Sequence, residues 1–269
     1  MNAPFEGVAP AVDANVRLRL LSYNIQAGAR VSRYRHYVTH GWKQLLPHRE
    51  KHRNLELVAR AISDFDIVGL QEADTGSLRS GFLNQTQFLA EAAGFPYWSQ
   101  QTNRDVARLA SSGNGLISRF EPTEVLDHRL PGRIRGRGAL IARFGHDDDA
   151  LLVINAHLSL GPQARMRQIE FLCELAEEYR HVVLMGDFNT RVDSPELRRL
   201  FQRGHLRPPE ISPRSYPSWR PQRAIDHILV TDSLKVVEGG VLPLAVSDHL
   251  PVSLEVQLPA NCRIASQSA

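Results

Sequence analysis

Apolar residues recur along this chain in short alternating or continuous runs broken by polar turns, a pattern that predicts many strands and few helices. Residues 17–25 alternate and are rich in leucine, predicting a strand that ends at Asn24. Residues 66–71 form a continuous apolar run of the kind buried on both faces, and it delivers Glu72 at its C-terminal end. Further strands are predicted at 114–120, 138–144 and 150–156, the last two joined by an acidic turn at 146–149, then at 181–186, 224–231, 234–242 and 251–258. Helical spacing is found at 48–63, where Leu55, Val58, Ala59 and Ile62 share a face. Residues 84–93 predict a helix closed by Gly94, and 162–179 one opened by Gly161 and Pro162. Ser194 caps a short helix with Pro195 in its first turn. About ten strands with a few helices fit two sheets packed together with helices outside. No repeat, low-complexity tract or interior linker interrupts the 269 residues, so one domain over 15–258 is expected between loose tails at 1–14 and 259–269.

The polar residues that carry chemistry share one address, at or just past the end of an apolar strand, where a fixed backbone presents a side chain to a rim. Glu72 follows IVGLQ, Asp187 follows VVLMG, and Asp248 stands in VSDH. A carboxylate placed there is costly unless paired, protonated or bound to a cation. A few hard oxygen ligands, with an amide oxygen such as that of Asn24, suit Mg²⁺ or Mn²⁺ rather than zinc, and Mg²⁺ so held typically also takes a substrate phosphate. Any one of these acids alone fits a turn or cap equally well. His157 ends the strand LLVINAH, and His249 follows Asp248. Either imidazole can donate to a phosphoryl oxygen or act as an acid, and Asp226 is placed to orient His249. His227, next to Asp226 on the same strand, points to the opposite face.

Composition adds exclusions. With 42% hydrophobic, 23% charged and 7% aromatic residues, the chain is globular rather than disordered. Two cysteines, Cys173 in a helical run and Cys262 in the polar tail, exclude a disulfide framework. No signal-peptide pattern and no membrane-length apolar run is present, so a cytoplasmic setting is expected, with peripheral membrane contact open.

In chain order the motifs read Asn24 in LSYNIQ, Glu72 in VGLQE, His157 in INAHL, Asp187 and Asn189 in MGDFN, Asp226 in IDHILV, and Asp248 and His249 in SDHLPV. Each is weak alone, but all six in order resemble the endonuclease/exonuclease/phosphatase superfamily with its DNase I-like fold, from about Arg17 to Leu258. The resemblance implies a four-layered α/β/β/α sandwich with two mostly antiparallel central sheets. It implies metal positions at Asn24, Glu72 and Asp248, and catalytic positions at His157, Asp187, Asn189, Asp226 and His249. Asp187 would orient or deprotonate the attacking water, Asn189 would assist in phosphate positioning, and His157 would stabilise phosphoryl oxygens. His249 and Asp226 would form the central pair. The expected reaction is divalent-metal-dependent hydrolysis of a phosphoester, a phosphodiester above all.

The substrate is less sharply marked. Residues 30–53 combine Arg30, Arg33, Arg35, Lys43, Arg49, Lys51 and Arg53 with Tyr34, Tyr37 and Trp42. Residues 203–223 hold five arginines with Tyr216 and Trp219 and lead into Asp226, so their tip should overhang the site; Arg129, Arg133, Arg135 and Arg137 form a third cluster. Trp219, Arg220 and Arg137 are the candidate substrate contacts. Basic loops with aromatics suit a nucleic-acid backbone and an anionic lipid surface alike. Residues 71–85 loosely resemble the branch with GPI-lipid-remodelling proteins and bacterial relatives, and a net charge of +3 is low for a dedicated DNA binder. Phospholipid head groups or small phosphodiesters therefore rank above DNA or RNA cleavage, abasic-site cleavage included, and a catalytically dead binding module ranks last. No obligate protein partner is evident.

Overall fold

The computed structural model describes residues 16–26, 49–106, 110–132, 136–203, 205–207 and 212–264. Much of the basic, aromatic stretch at 30–53, Arg133 and Arg135 and the tail at 1–14 lie outside them. The strands are β1 (Arg17–Asn24), β2 (Ile67–Ala73), β3 (Tyr97–Val106), β4 (Ala110–Ser118), β5 (Glu124–Arg129), β6 (Gly138–Phe144), β7 (Leu151–His157), β8 (His181–Asp187), β9 (Leu206–Arg207), β10 (Asp226–Thr231), β11 (Lys235–Val241) and β12 (Val252–Gln257). The helices are α1 (Arg49–Ile62), α2 (Gln85–Ala93), α3 (Pro162–Glu177) and α4 (Pro195–Arg203).

The strands form two six-stranded sheets, ordered β11-β12-β1-β2-β4-β3 and β5-β6-β7-β8-β10-β9. Each is antiparallel except for one parallel pair, β1 with β2 and β7 with β8. Alternation sorts the side chains into layers. Leu18, Leu20, Val153, Met185, Ile228 and Leu254 meet between the sheets. Residues of opposite parity face the helices: Leu21, Tyr23 and Val68 pack with Leu55 and Ile62 of α1 and Leu89 of α2. Ile154, Leu184 and Leu229 pack with Ile169 and Leu172 of α3 and Leu197 of α4. The four-layered sandwich that the resemblance implies, and that the strand count fits, is thus the observed one.

Several boundaries differ. β3 and β5 were not legible as strands: β3 is largely polar (YWSQQTNRDV), and β5 is an edge strand exposed along most of its length. β4 begins at Ala110, earlier than its apolar run, because SSGN carries no hydrophobic signal. The C-terminal segment is not a loose tail as far as it is described, since Cys262 is buried among the inter-sheet residues and Ile264 packs against them. Cys173 and Cys262 are both free.

A polar network interrupts the inter-sheet layer near one end. Asn155 of β7 donates to the carbonyls of Leu70 and Gly115 across the sheets at 2.9 and 2.8 Å. Its Oδ1 accepts from Gln71 Nε2 at 2.7 Å. Asn155 thus bolts the two sheets together just below the rim that carries Glu72 and His157. Asn155→Ala is expected to destabilise the fold by roughly 3 kcal/mol, because it removes three buried hydrogen bonds at once. Urea unfolding measures this, with Asn114→Ala, which removes neighbouring links to the Gly138 carbonyl, Gln101 Oε1 and, at 3.5 Å, the Asn155 carbonyl, as the comparison.

Candidate active site

The rim where β1, β2, β7 and β8 end and where β10 begins collects the candidate residues, and strand register explains their neighbours. His157 and Asp187 are opposite partners in the parallel β7–β8 pair. Asp187 and Asp226 are opposite partners in the antiparallel β8–β10 pair. The odd residues of β7 and β8 and the even ones of β10 face between the sheets, so all three side chains enter one cleft. His227 turns the other way, its Nε2 within 2.8 Å of the Thr190 carbonyl. Gly186 makes the approach of β7 and β8 feasible: a Cβ there would stand 1.8 Å from the Ala156 carbonyl oxygen, at a φ of +145°.

Asp187 is the hub. Its Oδ2 accepts from Asn24 Nδ2 at 3.0 Å and lies 3.4 Å from His157 Nε2 and 3.9 Å from His249 Nε2. Its Oδ1 accepts from the Asn189 backbone N–H at 2.9 Å. Burial, reinforced by Asp226, pushes its pKa up to about 7 against the opposing pull of His249, Asn189 and Asn24. His249 Nδ1 lies 2.9 Å from Asp226 Oδ2, which also accepts from the Ser215 hydroxyl. Burial alone would lower the His249 pKa, but Asp226, Asp187 and Asp248 outweigh it and raise it to about 10. The Tyr216 ring packs on the imidazole at 4.8 Å between centroids. Ser215 went unnoticed as a site residue in the sequence, its only signal being proximity to Asp226, and Tyr216 was expected as an aromatic of the overhanging loop rather than as a neighbour of His249.

His157 is different. Burial, then Arg137, then His249 hold its pKa well below the ordinary range, so it is neutral. Arg137 Nη1 makes a short contact with His157 Nε2. A guanidinium has no acceptor, so Nε2 is the accepting nitrogen and the proton sits on Nδ1.

Glu72 lies inside β2, not beyond its end. The register with β4 slips between Leu70 and Ala73, and Glu72 adopts a left-handed φ of 55°. Regular alternation would send Glu72 to the helical side; the irregularity brings its Oε1 to 4.0 Å from His157 Nε2. Gln26 and Asn189 also have positive φ, at 44° and 52°, so three non-glycine residues of this rim carry unusual backbone. The Asn189 side chain donates to the Leu158 carbonyl at 2.9 Å and so braces the loops.

Two groupings could hold a metal. Asp187, Asp226 and His249 offer ligand atoms within 4.8 Å of one another. That grouping is internally satisfied: Asp226 binds His249 and Ser215, and the imidazolium supplies the positive charge. Glu72, Asp248 and Asn24 fit a hard cation better. Burial and then the charge of Glu72 raise the Asp248 pKa, offsetting the pull of His249, as expected of two acids awaiting a counter-charge. Beside them the buried Gln26 Oε1 has no hydrogen-bond partner, although Gln26 Nε2 reaches Asp248 Oδ2 at 3.5 Å. An amide oxygen left in this way on a side chain beside Asp248 suits a cation or its water.

The loop before β10 is fastened to the site. The Ser218 backbone N–H donates to the Asp248 carbonyl at 2.7 Å and its hydroxyl to the Ser247 carbonyl at 2.6 Å. Trp219 and Arg220, both exposed, follow directly.

The geometry has counterparts among solved structures. An endonuclease/exonuclease/phosphatase family protein from Bacteroides thetaiotaomicron is 21% identical, covers 91% of this chain and 98% of its own, and superposes with a TM-score of 0.68. A mannosyl-6-phosphatase from the same organism is 21% identical over 89% of this chain and 99% of its own, TM-score 0.66. ANGEL2, a 2',3'-cyclic phosphatase, is 14% identical over 94% and 99%, TM-score 0.66. No curated protein sequence matches significantly. At these identities the likeness establishes the fold, whereas the profile of the Endonuclease/Exonuclease/phosphatase family matches residues 21–249 of the sequence itself. With that match spanning every strand-end motif from Asn24 to His249, the chain belongs to the endonuclease/exonuclease/phosphatase family.

Proposed function

We propose that the protein hydrolyses phosphoesters, phosphodiesters in particular, by in-line attack of water in the presence of Mg²⁺ or Mn²⁺. The observation that carries this reading is the placement of Asp187 between His157 and the Asp226–His249 pair, beside Glu72 and Asp248. A divalent cation held by Glu72, Asp248 and Asn24 would neutralise charge on the phosphate oxygens. Asp187 orients the attacking water and takes its proton as the new P–O bond forms and the ester P–O bond breaks. His249, held protonated by Asp226, donates to a phosphoryl oxygen through Nε2. Because the neutral His157 accepts from Arg137, the donor role expected of His157 passes to the Arg137 guanidinium. The leaving oxygen recovers its proton from solvent, and no covalent enzyme intermediate is formed. The family's hydrolases act on phosphate esters, and the mannosyl-6-phosphatase and 2',3'-cyclic phosphatase with the same fold support that chemistry.

For the substrate we favour phospholipid head groups or small phosphodiesters. Trp219 beside Arg220 on a fastened loop supports a second reading, a nucleic-acid strand stacked on the indole. An EDTA-controlled panel of bis(p-nitrophenyl) phosphate, phospholipid vesicles, plasmid DNA, an abasic duplex and RNA tests both. Metal-dependent turnover of the model diester and of lipid is expected; turnover of the abasic duplex with inert vesicles would reverse the substrate preference. Absence of any metal-dependent turnover would sink the hydrolase reading. The pH dependence is a further expectation. kcat/KM for the model diester should rise as Asp187 ionises through about 7 and fall as His249 deprotonates through about 10.

A further inference from the structure

The two most exposed large apolar side chains among the described residues are Leu160, 74% exposed, and Phe82, 66% exposed. Leu78 and Trp219 are 40% and 38% exposed, similar to Leu126, Val237 and Leu57 elsewhere on the surface. All four lie on loops at the rim that carries the active site. Leu78 and Phe82 follow β2, Leu160 follows β7, and Trp219 precedes β10. A lone exposed apolar residue is ordinary, but the two most exposed among the described residues standing on one rim with two further apolar tips is not.

These loops present their side chains from fastened backbones. Asp74, fully buried, accepts from the backbone N–H groups of Gly76 and Ser77 and from the hydroxyls of Ser77 and Ser80. Phe82 holds a left-handed φ of 65°, a strained conformation for a bulky residue that packing does not repay. The Leu160 turn is pinned by Arg165, which donates to the Ser159 and Leu160 carbonyls and is itself held by the buried Glu196. Trp219 stands next to Ser218, fastened to the Ser247 and Asp248 carbonyls.

The exposed charge of these loop segments is positive. Residues 212–225 contain the exposed Arg214, Arg220 and Arg223 and no acid, and residues 158–168 present the exposed Arg167, Arg165 being buried against Glu196. Asp74 is the sole acid in residues 74–84, and it is enclosed by its donors. Rigid aliphatic and aromatic tips set among arginines complement a bilayer with anionic head groups, where apolar tips enter the acyl boundary and arginines meet phosphates. A nucleic acid offers Leu160 and Leu78 nothing comparable.

We propose that this rim docks the protein on an anionic lipid surface, Phe82 and Leu160 inserting and Leu78 and Trp219 lying at the interface, so that the catalytic cleft opens toward the head groups. The proposal rests on the phosphoesterase reading only for the purpose of docking, not for its occurrence. The test is cosedimentation of the full chain, in EDTA, with phosphatidylcholine vesicles and with phosphatidylcholine–phosphatidylglycerol vesicles. The expected result is binding to the mixed vesicles, well above binding to phosphatidylcholine alone. The Phe82→Asn, Leu160→Ser double variant should lose about tenfold in partitioning, as two partly inserted apolar side chains imply. Asparagine tolerates the left-handed backbone, so the variant should keep its thermal stability and its turnover of soluble bis(p-nitrophenyl) phosphate. Wild-type protein that ignores mixed vesicles, or a double variant that binds them equally well, overturns the proposal. So would a dimer in analytical ultracentrifugation that the double variant dissociates, or duplex DNA displacing the protein from vesicles at equal phosphate concentration. Vesicle binding without turnover of the soluble diester would instead refute the phosphoesterase reading and leave the docking surface standing.

Discussion

Asp187→Asn is expected to lower kcat for a phosphodiester by a factor of about 10³ to 10⁴ while preserving the fold, as loss of a positioned base and its charge implies. The substitution is nearly isosteric. It keeps one oxygen, for the Asn189 N–H, and gives up the acceptor that faces Asn24 Nδ2, and it cannot take a proton from water. The same change should stabilise the protein at alkaline pH. A carboxyl whose folded pKa is raised contributes stability that is fully present below its unfolded value of 3.8 and is lost as pH rises through about 7. The asparagine variant escapes that loss. Its melting temperature in EDTA, taken relative to the wild type, should therefore rise from pH 4 to about pH 7 and stay level above it. Near-normal turnover in Asp187→Asn would remove this residue from the mechanism; a melting-temperature difference that does not change between pH 4 and pH 8 would show that His249 compensates its buried charge.

The second large effect is expected at Glu72. Glu72→Ala should lower turnover about a thousandfold or more, the scale of losing a metal's charge stabilisation. Calorimetric titration of the variant with Mn²⁺ should show weakened binding, whereas Asp187→Asn should retain it. Glu72→Gly separates chemistry from strain. It removes the same carboxylate but relieves the left-handed backbone at φ 55°, and should be more stable than Glu72→Ala by about 1 kcal/mol. Full activity in either variant would sink the assignment of Glu72 as a metal ligand. A catalytically dead binding module would show no turnover in the wild type for either substitution to abolish.

Phe82→Asn and Leu160→Ser form a natural contrast with these variants. They are expected to change where the protein binds and not how fast it acts on a soluble ester.

What could be read from sequence and what could not divides along physical lines. Buried central strands such as HVVLMGD and LLVINAH announce themselves because both faces are apolar, and their ends located His157 and Asp187 correctly. β3 and β5 escaped because polar and edge strands carry little hydrophobic signal; hydrogen bonding to neighbours, rather than side-chain burial, makes them strands. Asp226 and His249 were paired in advance on the chemistry of a carboxylate fixing an imidazole and on the resemblance, and the strand ends alone did not require it.

From sequence alone followed two packed sheets with helices outside, the strand-end address of the polar residues, and a kit of carboxylates, amides and imidazoles suited to a hard cation and phosphate; the resemblance added the four-layered architecture. The first three depend on local periodicity and residue chemistry. Only the tertiary structure decided how the kit is assembled: the strand register that sets Asp187 between His157 and Asp226, and the left-handed bulge that turns Glu72 into the cleft. It also set Arg137 against a neutral His157, Ser215 on Asp226, and the rim that carries Phe82 and Leu160. These depend on distances between residues far apart in the chain, where burial and neighbouring charge, not residue type, determine protonation and exposure.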